Sequence, residues 1–181
     1  MYRILLVDDE ESILKALRRL LAMTPVSCGG ITYKLQVDSF TSPVEALERC
    51  RETAYAAILS DFRMPHMNGV AFLREVRALQ PHAVRLILSG FADLNGLIGA
   101  INEAAIYRFL AKPWNDYELV STLGQALAFH DLERENERLA DLARVERGQM
   151  SVEELERKRL EEEEPGITKV NWGPDGSVIL D

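Results

Sequence analysis

Short apolar runs alternate with longer amphipathic segments over residues 1–130. Three of the runs are continuously apolar, which is typical of strands buried on both faces of a sheet, and two mixed runs are expected to flank them. The apolar runs are residues 4–7, 56–59 and 86–88, and the mixed runs are residues 33–40 and 106–111. The segment 24–32, ahead of the second predicted strand, is expected to be a surface loop.

Helix patterns separate the predicted strands. One apolar face is formed at helical spacing by Ile13, Leu14, Leu17, Leu20 and Leu21. Capping signals predict the other helix starts: Ser42 with Pro43 and Glu45, Asn68 before a helix over 70–80, Asp93 before a weaker helix to about 105, and Asn115 before the last helix. Five alternations of strand and helix predict an α/β fold, a (βα)5 doubly wound parallel sheet with helices on both sides.

The last predicted helix continues to about residue 147, a length of roughly 48 Å at about 1.5 Å per residue, so its distal half should project from a domain over residues 1–130. Leu132, Asn136, Leu139 and Ala143, with Leu142 alongside, fit the seam of a short coiled coil. A solvated acidic helix is the alternative. A capping box at Ser151 begins a second helix that completes an acidic arm over residues 131–164. Turn residues then predict a hairpin-like tail over 165–181.

Charge is distributed unevenly along the chain, whose formal net charge is −8. Residues 131–164 hold 13 acidic and 7 basic side chains, whereas residues 1–130 are almost balanced. The absence of a basic block argues against direct nucleic-acid binding, and no apolar stretch is long enough to predict a membrane span. Cys28 and Cys50 lack metal-site spacing, which indicates reduced thiols in a cytoplasmic protein.

Carboxylates follow two of the predicted strands. Asp8 and Asp9 come after the first strand, and Asp61 comes after the third. The carboxyl ends of parallel strands meet at one edge of the sheet, so we expect these acids to lie close together. Like charges held together recruit a cation, and Mg²⁺ prefers such oxygen ligands. The alternative is that exposed acids simply cap helices, although the coincidence of three favours the metal site.

Two further polar residues end predicted strands. Lys112 follows the fifth strand and would bring a cation to the same edge, and Ser89 ends the fourth strand with a hydroxyl. Metal, cation and an acidic nucleophile together form a site for a phosphoryl group. A solvated strand-end lysine and a turn serine before Gly90 are the alternatives for each residue taken singly.

Four segments together resemble the receiver domain of two-component response regulators. They are residues 5–10 (LLVDDE), 60–69 (SDFRMPHMNG), 88–92 (LSGFA) and 109–113 (FLAKP), in the family's order and spacing. The segment 108–114 (RFLAKPW) further resembles receivers of hydrogenase-type and HD-GYP regulators. The resemblance covers about residues 1–130 and implies a flavodoxin-like strand order of 2-1-3-4-5.

The resemblance implies a chemical role for each acid at the sheet edge. Asp61 would be the phosphoacceptor, which takes a phosphoryl group from the phosphohistidine of a histidine kinase. The Mg²⁺ cofactor would be bound by Asp9, by Asp8 in a supporting role, by Asp61 and by the backbone carbonyl of Arg63.

The resemblance also implies a switch. Lys112 would pair with the phosphoryl oxygens, Ser89 would move onto one of them, and Phe109 would turn inward in response. The Lys112–Pro113 peptide bond is expected to be cis. Serine at 89 and phenylalanine at 109 replace the commoner threonine and tyrosine.

The sequence thus predicts a response regulator that signals by phosphorylation-dependent protein contact or dimerisation. Its expected partners are a sensor histidine kinase or phosphotransfer protein, a second copy in a homodimer and an unknown downstream protein. It is not expected to be an enzyme: haloacid dehalogenase-type phosphohydrolases need Asp-x-Asp, whereas Asp8 and Asp9 are adjacent. A phosphorylation-independent adaptor and a fragment of a longer regulator remain alternatives.

Overall fold

A computed structural model describes residues 1–90, 104–163, 165 and 167. Its strands are β1 Tyr2–Val7, β2 Val26–Cys28, β3 Ile31–Tyr33, β4 Leu35–Phe40, β5 Ala57–Asp61, β6 Val84–Gly90 and β7 Arg108–Lys112. Its helices are α1 Glu11–Met23, α2 Pro43–Glu52, α3 Gly69–Leu79, α4 Asp116–Glu146 and α5 Val152–Glu163. The predicted helix over 93–105, apart from its last two residues, and the predicted tail hairpin, apart from residues 165 and 167, lie outside the described residues.

Five parallel strands form the central sheet in the order β4-β1-β5-β6-β7. Without the two short strands β2 and β3, this is the predicted order 2-1-3-4-5. Alternate side chains of β1 enter different cores, with Ile4 and Leu6 in one cluster and Leu5 and Val7 in the other. Both faces of the sheet are therefore buried, which confirms the interpretation of the apolar runs.

Side-chain caps define the helix starts as predicted. Ser42 Oγ accepts a hydrogen bond from the Glu45 backbone at 3.4 Å, and Asn68 Oδ1 accepts one from Ala71 at 2.8 Å. Asn115, before α4, and Ser151, before α5, cap in the same way. Each cap satisfies a backbone N–H that has no partner within its helix.

The segment 24–32 is not the predicted surface loop. Its two short strands β2 and β3 form an antiparallel hairpin that packs against α4, and Val26 and Tyr33 are buried in the core. Gly29 and Gly30 have φ of 58° and 82°, which suits the tight turn of a two-residue hairpin. The predicted strand over 33–40 accordingly divides, because Tyr33 belongs to this hairpin and β4 begins at Leu35.

Helices α4 and α5 form an antiparallel pair. Lys158 of α5 contacts Asp141 and Glu137 of α4, and Glu162, one turn further along α5, contacts Arg134, one turn nearer the start of α4. The sequence predicted both helices but not that the second folds back along the first. No helix in the described part of the chain is long and apolar enough to cross a lipid bilayer.

Gly124 allows the hairpin to approach α4, and this contact can be tested. A Cβ at position 124 would lie 2.5 Å from the backbone oxygen of Ser27. Replacement by alanine must therefore displace the hairpin, and we expect Gly124→Ala to lower the free energy of unfolding by about 1–3 kcal/mol. Urea denaturation measures the change. The control Glu133→Ala, on the exposed side of α4, should stay within about 0.5 kcal/mol of the wild type; equal stabilities of all three proteins would contradict the prediction.

Candidate functional site

The predicted site residues converge at the carboxyl edge of the sheet. Asp8 directly follows β1, Asp61 ends β5, Ser89 lies near the end of β6 and Lys112 ends β7. Asp8 is 1% exposed and Asp61 is 6% exposed, so both carboxylates are almost removed from solvent. Asp9, in contrast, is exposed at the rim. Buried carboxylates are rare unless another group compensates their charge.

Lys112 supplies that compensation by reaching across the edge. Its ammonium nitrogen lies 2.5 Å from Asp61 Oδ1 and 2.6 Å from Asp8 Oδ2. One cation therefore contacts both buried acids, even though β6 separates the strands of Lys112 and Asp61. The arrangement confines the three charged groups to one small volume.

The protonation equilibria follow from burial and pairing. Burial raises the pKa of Asp8 above its usual value, and hydrogen bonds from Lys112 and from the Glu10 backbone offset only part of the rise. Burial alone would lower the pKa of Lys112, but its hydrogen bonds to Asp61 and Asp8 and their negative charges raise that pKa overall. Lys112 therefore remains an ammonium ion over the neutral range.

Backbone donors hold the second oxygen of each buried acid. The N–H of Glu10 donates to Asp8 Oδ1 at 3.0 Å, and the N–H of Arg63 donates to Asp61 Oδ2 at 2.7 Å. Each carboxylate thus has one oxygen on a backbone group and the other on Lys112. The bond from Arg63 also brings its backbone to the site, while its side chain is exposed.

Gly69 is a structural requirement of the site that the sequence motifs did not reveal. A Cβ at this position would lie 2.1 Å from the backbone oxygen of Asp61, closer than any side chain can approach. The Gly69 N–H also donates to the Phe62 backbone at 2.9 Å, which closes the loop after β5. The position of Asp61 therefore depends on a glycine eight residues later. In the sequence, the only indication of this requirement was that Gly69 directly follows Asn68, the residue that caps α3.

The two switch candidates occupy different depths. Ser89 is 3% exposed and pairs in register with Ala111, the residue before Lys112. Phe109 lies further from the edge on β7 and is partly buried against the core cluster that contains Ile87. The structure thus brings Asp8, Asp61 and Lys112 into contact and places Ser89 on the neighbouring strand. The Lys112–Pro113 bond is cis, as expected.

The donor set suits a hard divalent cation. Asp8 and Asp61 both contact one ammonium nitrogen and so can approach one cation, and Asp9, next to Asp8 in the sequence, is exposed at the rim. Three carboxylates against one lysine leave an excess of negative charge. Magnesium is bound through one or two carboxylates with retained waters, so these residues fit it.

Removal of the Lys112 charge tests the electrostatic account. Without magnesium, Lys112→Met leaves two buried carboxylates facing each other, and we expect a loss of about 3 kcal/mol in unfolding free energy near pH 7.5. The contribution of Lys112 requires ionised partners. It should therefore diminish as the pH falls through the raised pKa of Asp8, because protonation removes the charge that Lys112 neutralises.

Denaturant melts of both proteins between about pH 5 and pH 8 measure this difference. Lys15→Met is the matched control, because Lys15 is highly exposed and pairs only loosely with Glu11 at 3.9 Å. A wild-type advantage that did not vary with pH, or an equal loss in the control, would contradict the account.

Comparison with known proteins identifies the family. Residues 4–124 match the family described as the response regulator receiver domain. The hydrogenase transcriptional regulatory protein HoxA of Bradyrhizobium diazoefficiens is 38% identical over 135 residues, which cover 74% of this chain and 26% of that protein. The C4-dicarboxylate transport transcriptional regulatory protein DctD of Rhizobium meliloti is 32% identical, over 75% of this chain and 27% of that protein. The chain thus spans about a quarter of the length of these relatives.

Solved structures show the same fold. The signal receiver domain of an HD domain-containing protein from Pseudomonas fluorescens Pf-5 is 35% identical, with a TM-score of 0.63 over 74% of this chain and 92% of that one. A response regulator receiver domain protein from Clostridium thermocellum is 29% identical, with a TM-score of 0.61 over 73% and 98%. The family match, the shared fold and the cluster of buried acids with lysine agree with one another. The chain belongs to the receiver-domain family of two-component response regulators.

Proposed function

We propose that Asp61 is the phosphoacceptor, and that the phosphorylated chain signals through contacts with other proteins. The observation that carries this proposal is the approach of Lys112 to Asp61 Oδ1 at 2.5 Å and to Asp8 at 2.6 Å. The same ammonium can follow a phosphoryl group added to that oxygen. The phosphoryl donor is a sensor histidine kinase or a phosphotransfer protein, which places the reaction in the cytoplasm.

In the proposed reaction a carboxylate oxygen of Asp61 attacks phosphorus. The oxygen–phosphorus bond forms as the phosphorus–nitrogen bond of phosphohistidine breaks, and the imidazole nitrogen keeps the electron pair. Lys112 neutralises charge on the phosphoryl oxygens, and its raised pKa keeps it protonated throughout. Asp8, Asp9, Asp61 and the Arg63 carbonyl would hold Mg²⁺, which when bound supplies electrostatic stabilisation of the transferring group.

The proposed switch begins at Ser89. A phosphoryl group adds about −1.5 to −2 units of charge and three acceptor oxygens, to one of which the Ser89 hydroxyl donates. Movement of Ser89 vacates space beside β7, and Phe109 turns inward to fill it. Because α4 begins four residues after Lys112, a shift at the end of β7 acts directly on the start of that helix.

Two alternatives concern how the chain passes on its signal. The relatives HoxA and DctD are named as transcriptional regulatory proteins and are about four times as long as the matched region, so the chain could serve as the receiver part of a longer regulator. A phosphorylation-independent adaptor would not need the complete set of acids and lysine. The proposal assigns the chain no enzymatic activity beyond its own phosphorylation and dephosphorylation.

The acceptor assignment is tested with acetyl phosphate and Mg²⁺. We expect the wild-type chain to gain the mass of one phosphoryl group, and Asp61→Asn to gain none, because the amide is a poor nucleophile. Asp116→Asn, at an exposed carboxylate at the start of α4, should be phosphorylated like the wild type. A gain of one phosphoryl mass by Asp61→Asn would overturn the assignment.

The proposal includes a homodimer formed through α4. Leu132 and Leu139 are 57% and 52% exposed, and together with Asn136 and Ala143 they form a stripe along the helix. At 3.6 residues per turn this stripe lies roughly 160° around the helix from the face that contacts α5. A two-chain coiled coil along the stripe therefore leaves the α4–α5 pair intact.

Polar and apolar residues are distributed on α4 in a way that supports this dimer. The face covered by α5 carries Glu137 and Asp141, and Asp141 is 3% exposed. The leucines face outward instead. A helix that buries charges within the chain and exposes leucines is suited to a partner with the same apolar stripe, which a second copy provides.

Dimer formation and its control by phosphorylation can be measured by light scattering. With beryllofluoride and Mg²⁺ as a phosphoryl mimic, we expect the mean mass to rise toward twice that of the monomer. Leu132→Glu with Leu139→Glu should prevent the increase by placing charges at the seam.

Val152→Glu is the control, because Val152 is also an exposed apolar residue, at 67%, but lies on α5. It should behave like the wild type. If the mimic changed neither the mass nor the protease sensitivity of residues 131–164, the dimer proposal would be contradicted while the acceptor assignment stood.

A further inference from the structure

A cleft lies at the opposite edge of the sheet from Asp61. It has a volume of about 1090 Å³ and is bounded by the amino end of β1, the segments that precede β5 and β6, and the helices α4 and α5. Its lining includes Met1, His82, Glu137, Lys158 and Glu162. The cleft is where the arm meets the receiver body, and no step of phosphoryl transfer uses it.

Three potential metal ligands from three separate elements meet in this cleft. His82 lies in the turn before β6, Glu137 on α4 and Glu162 on α5, and one ligand atom from each lies within 4.8 Å of the others. All three side chains are more than two-thirds buried. Side chains separated by as many as 80 positions in the sequence are thus brought together by the fold alone.

The contact between His82 and Glu137 has an unusual geometry. Nε2 of His82 lies 2.9 Å from Oε2 of Glu137, yet this oxygen is shielded from solvent and has no hydrogen-bond partner within the described residues. A buried carboxylate oxygen without a hydrogen bond is costly. Two atoms bound to one tetrahedral zinc ion at about 2.0–2.1 Å are themselves roughly 3.3 Å apart. The observed separation of 2.9 Å is a few tenths of an ångström shorter, so the two side chains need to move apart only slightly to hold one ion between them.

The remaining carboxylate oxygens are already oriented by cations. Lys158 Nζ contacts Glu137 Oε1 at 2.5 Å, and Arg134 Nη1 contacts Glu162 Oε2 at 2.7 Å. Glu162 Oε1 has only a distant approach from Lys158, at 3.9 Å. Each glutamate therefore keeps one oxygen available to an ion while its other oxygen is fixed, which is how outer partners orient the ligands of metal sites.

We propose that His82, Glu137 and Glu162 bind a divalent transition-metal ion of the Zn²⁺ type, which fastens α5 to the receiver body. The imidazole nitrogen favours zinc over magnesium or calcium, which prefer oxygen ligands alone. Two carboxylate oxygens and water complete a four-coordinate set. Because the ligands come from the body and from both helices of the arm, the ion holds the arm in its folded-back position.

Zinc binding is measured directly on the full chain by competition with a chromophoric chelator, in saturating Mg²⁺ so that the acids around Asp61 are occupied. We expect one Zn²⁺ per chain, and at least about tenfold weaker binding in His82→Gln and in Glu162→Gln. Glu163→Gln is the matched control for the acid, because Glu163 borders the same cleft but is not one of the three clustered ligands, and within the described residues it forms its ion pair with Arg159 on α5. His66→Gln is the control for the imidazole, because His66 lies in the loop after β5 and is exposed. Both controls should bind like the wild type.

A second readout separates the proposed site from adventitious binding. Co²⁺ in place of Zn²⁺ should give visible absorption without the charge-transfer band of a thiolate, which excludes Cys28 and Cys50 as ligands. Zinc should also protect the segment between α4 and α5 from proteolysis in the wild type and in both controls, but not in His82→Gln. Absence of zinc binding, binding that survives both site variants, or a thiolate band would each overturn the proposal, and none of these outcomes depends on phosphorylation of Asp61.

Discussion

One ammonium group between two buried carboxylates is the interaction on which the carboxyl edge of the sheet depends. Asp8 and Asp61 are placed next to one another by strands that neighbour in the sheet, and their charges would repel if nothing lay between them. Lys112 reaches them from β7, on the far side of β6, so it contacts both acids only when the strands are in this order. The charge pairing at this edge therefore depends directly on the strand order of the sheet.

The long helix α4 connects the two ends of the molecule. It begins just after Lys112 at the carboxyl edge of the sheet, and its distal half borders the cleft at the amino edge. A rigid helix carries a small displacement at one end to the other. The hairpin of β2 and β3 packs on its first half at Gly124, and α5 packs on its second half through ion pairs. The first half of α4 is held by close backbone packing and the second half by ion pairs. Dissolved ions weaken ion pairs more readily than they weaken close packing.

Local signals in the sequence were sufficient where the structure depends on local physics. The capping residues at Ser42, Asn68, Asn115 and Ser151 act on backbone groups three residues away, and all four were predicted correctly. The hairpin over 24–32 was missed, although Gly29-Gly30 between two short runs was a signal for it. The steric requirement for Gly69 was also missed, because it concerns a contact with the Asp61 backbone rather than a local preference.

By itself, the sequence determined the alternation of strands and helices, the acids at the strand ends and the family, because each is set by periodicity, capping or a motif within a few residues. Only the tertiary structure decided that Lys112 contacts both Asp8 and Asp61, and that α5 turns back to bring Glu162 toward His82. These contacts join residues far apart in the chain. Their distances depend on strand order and on the direction of a helix after a turn, which no local pattern encodes.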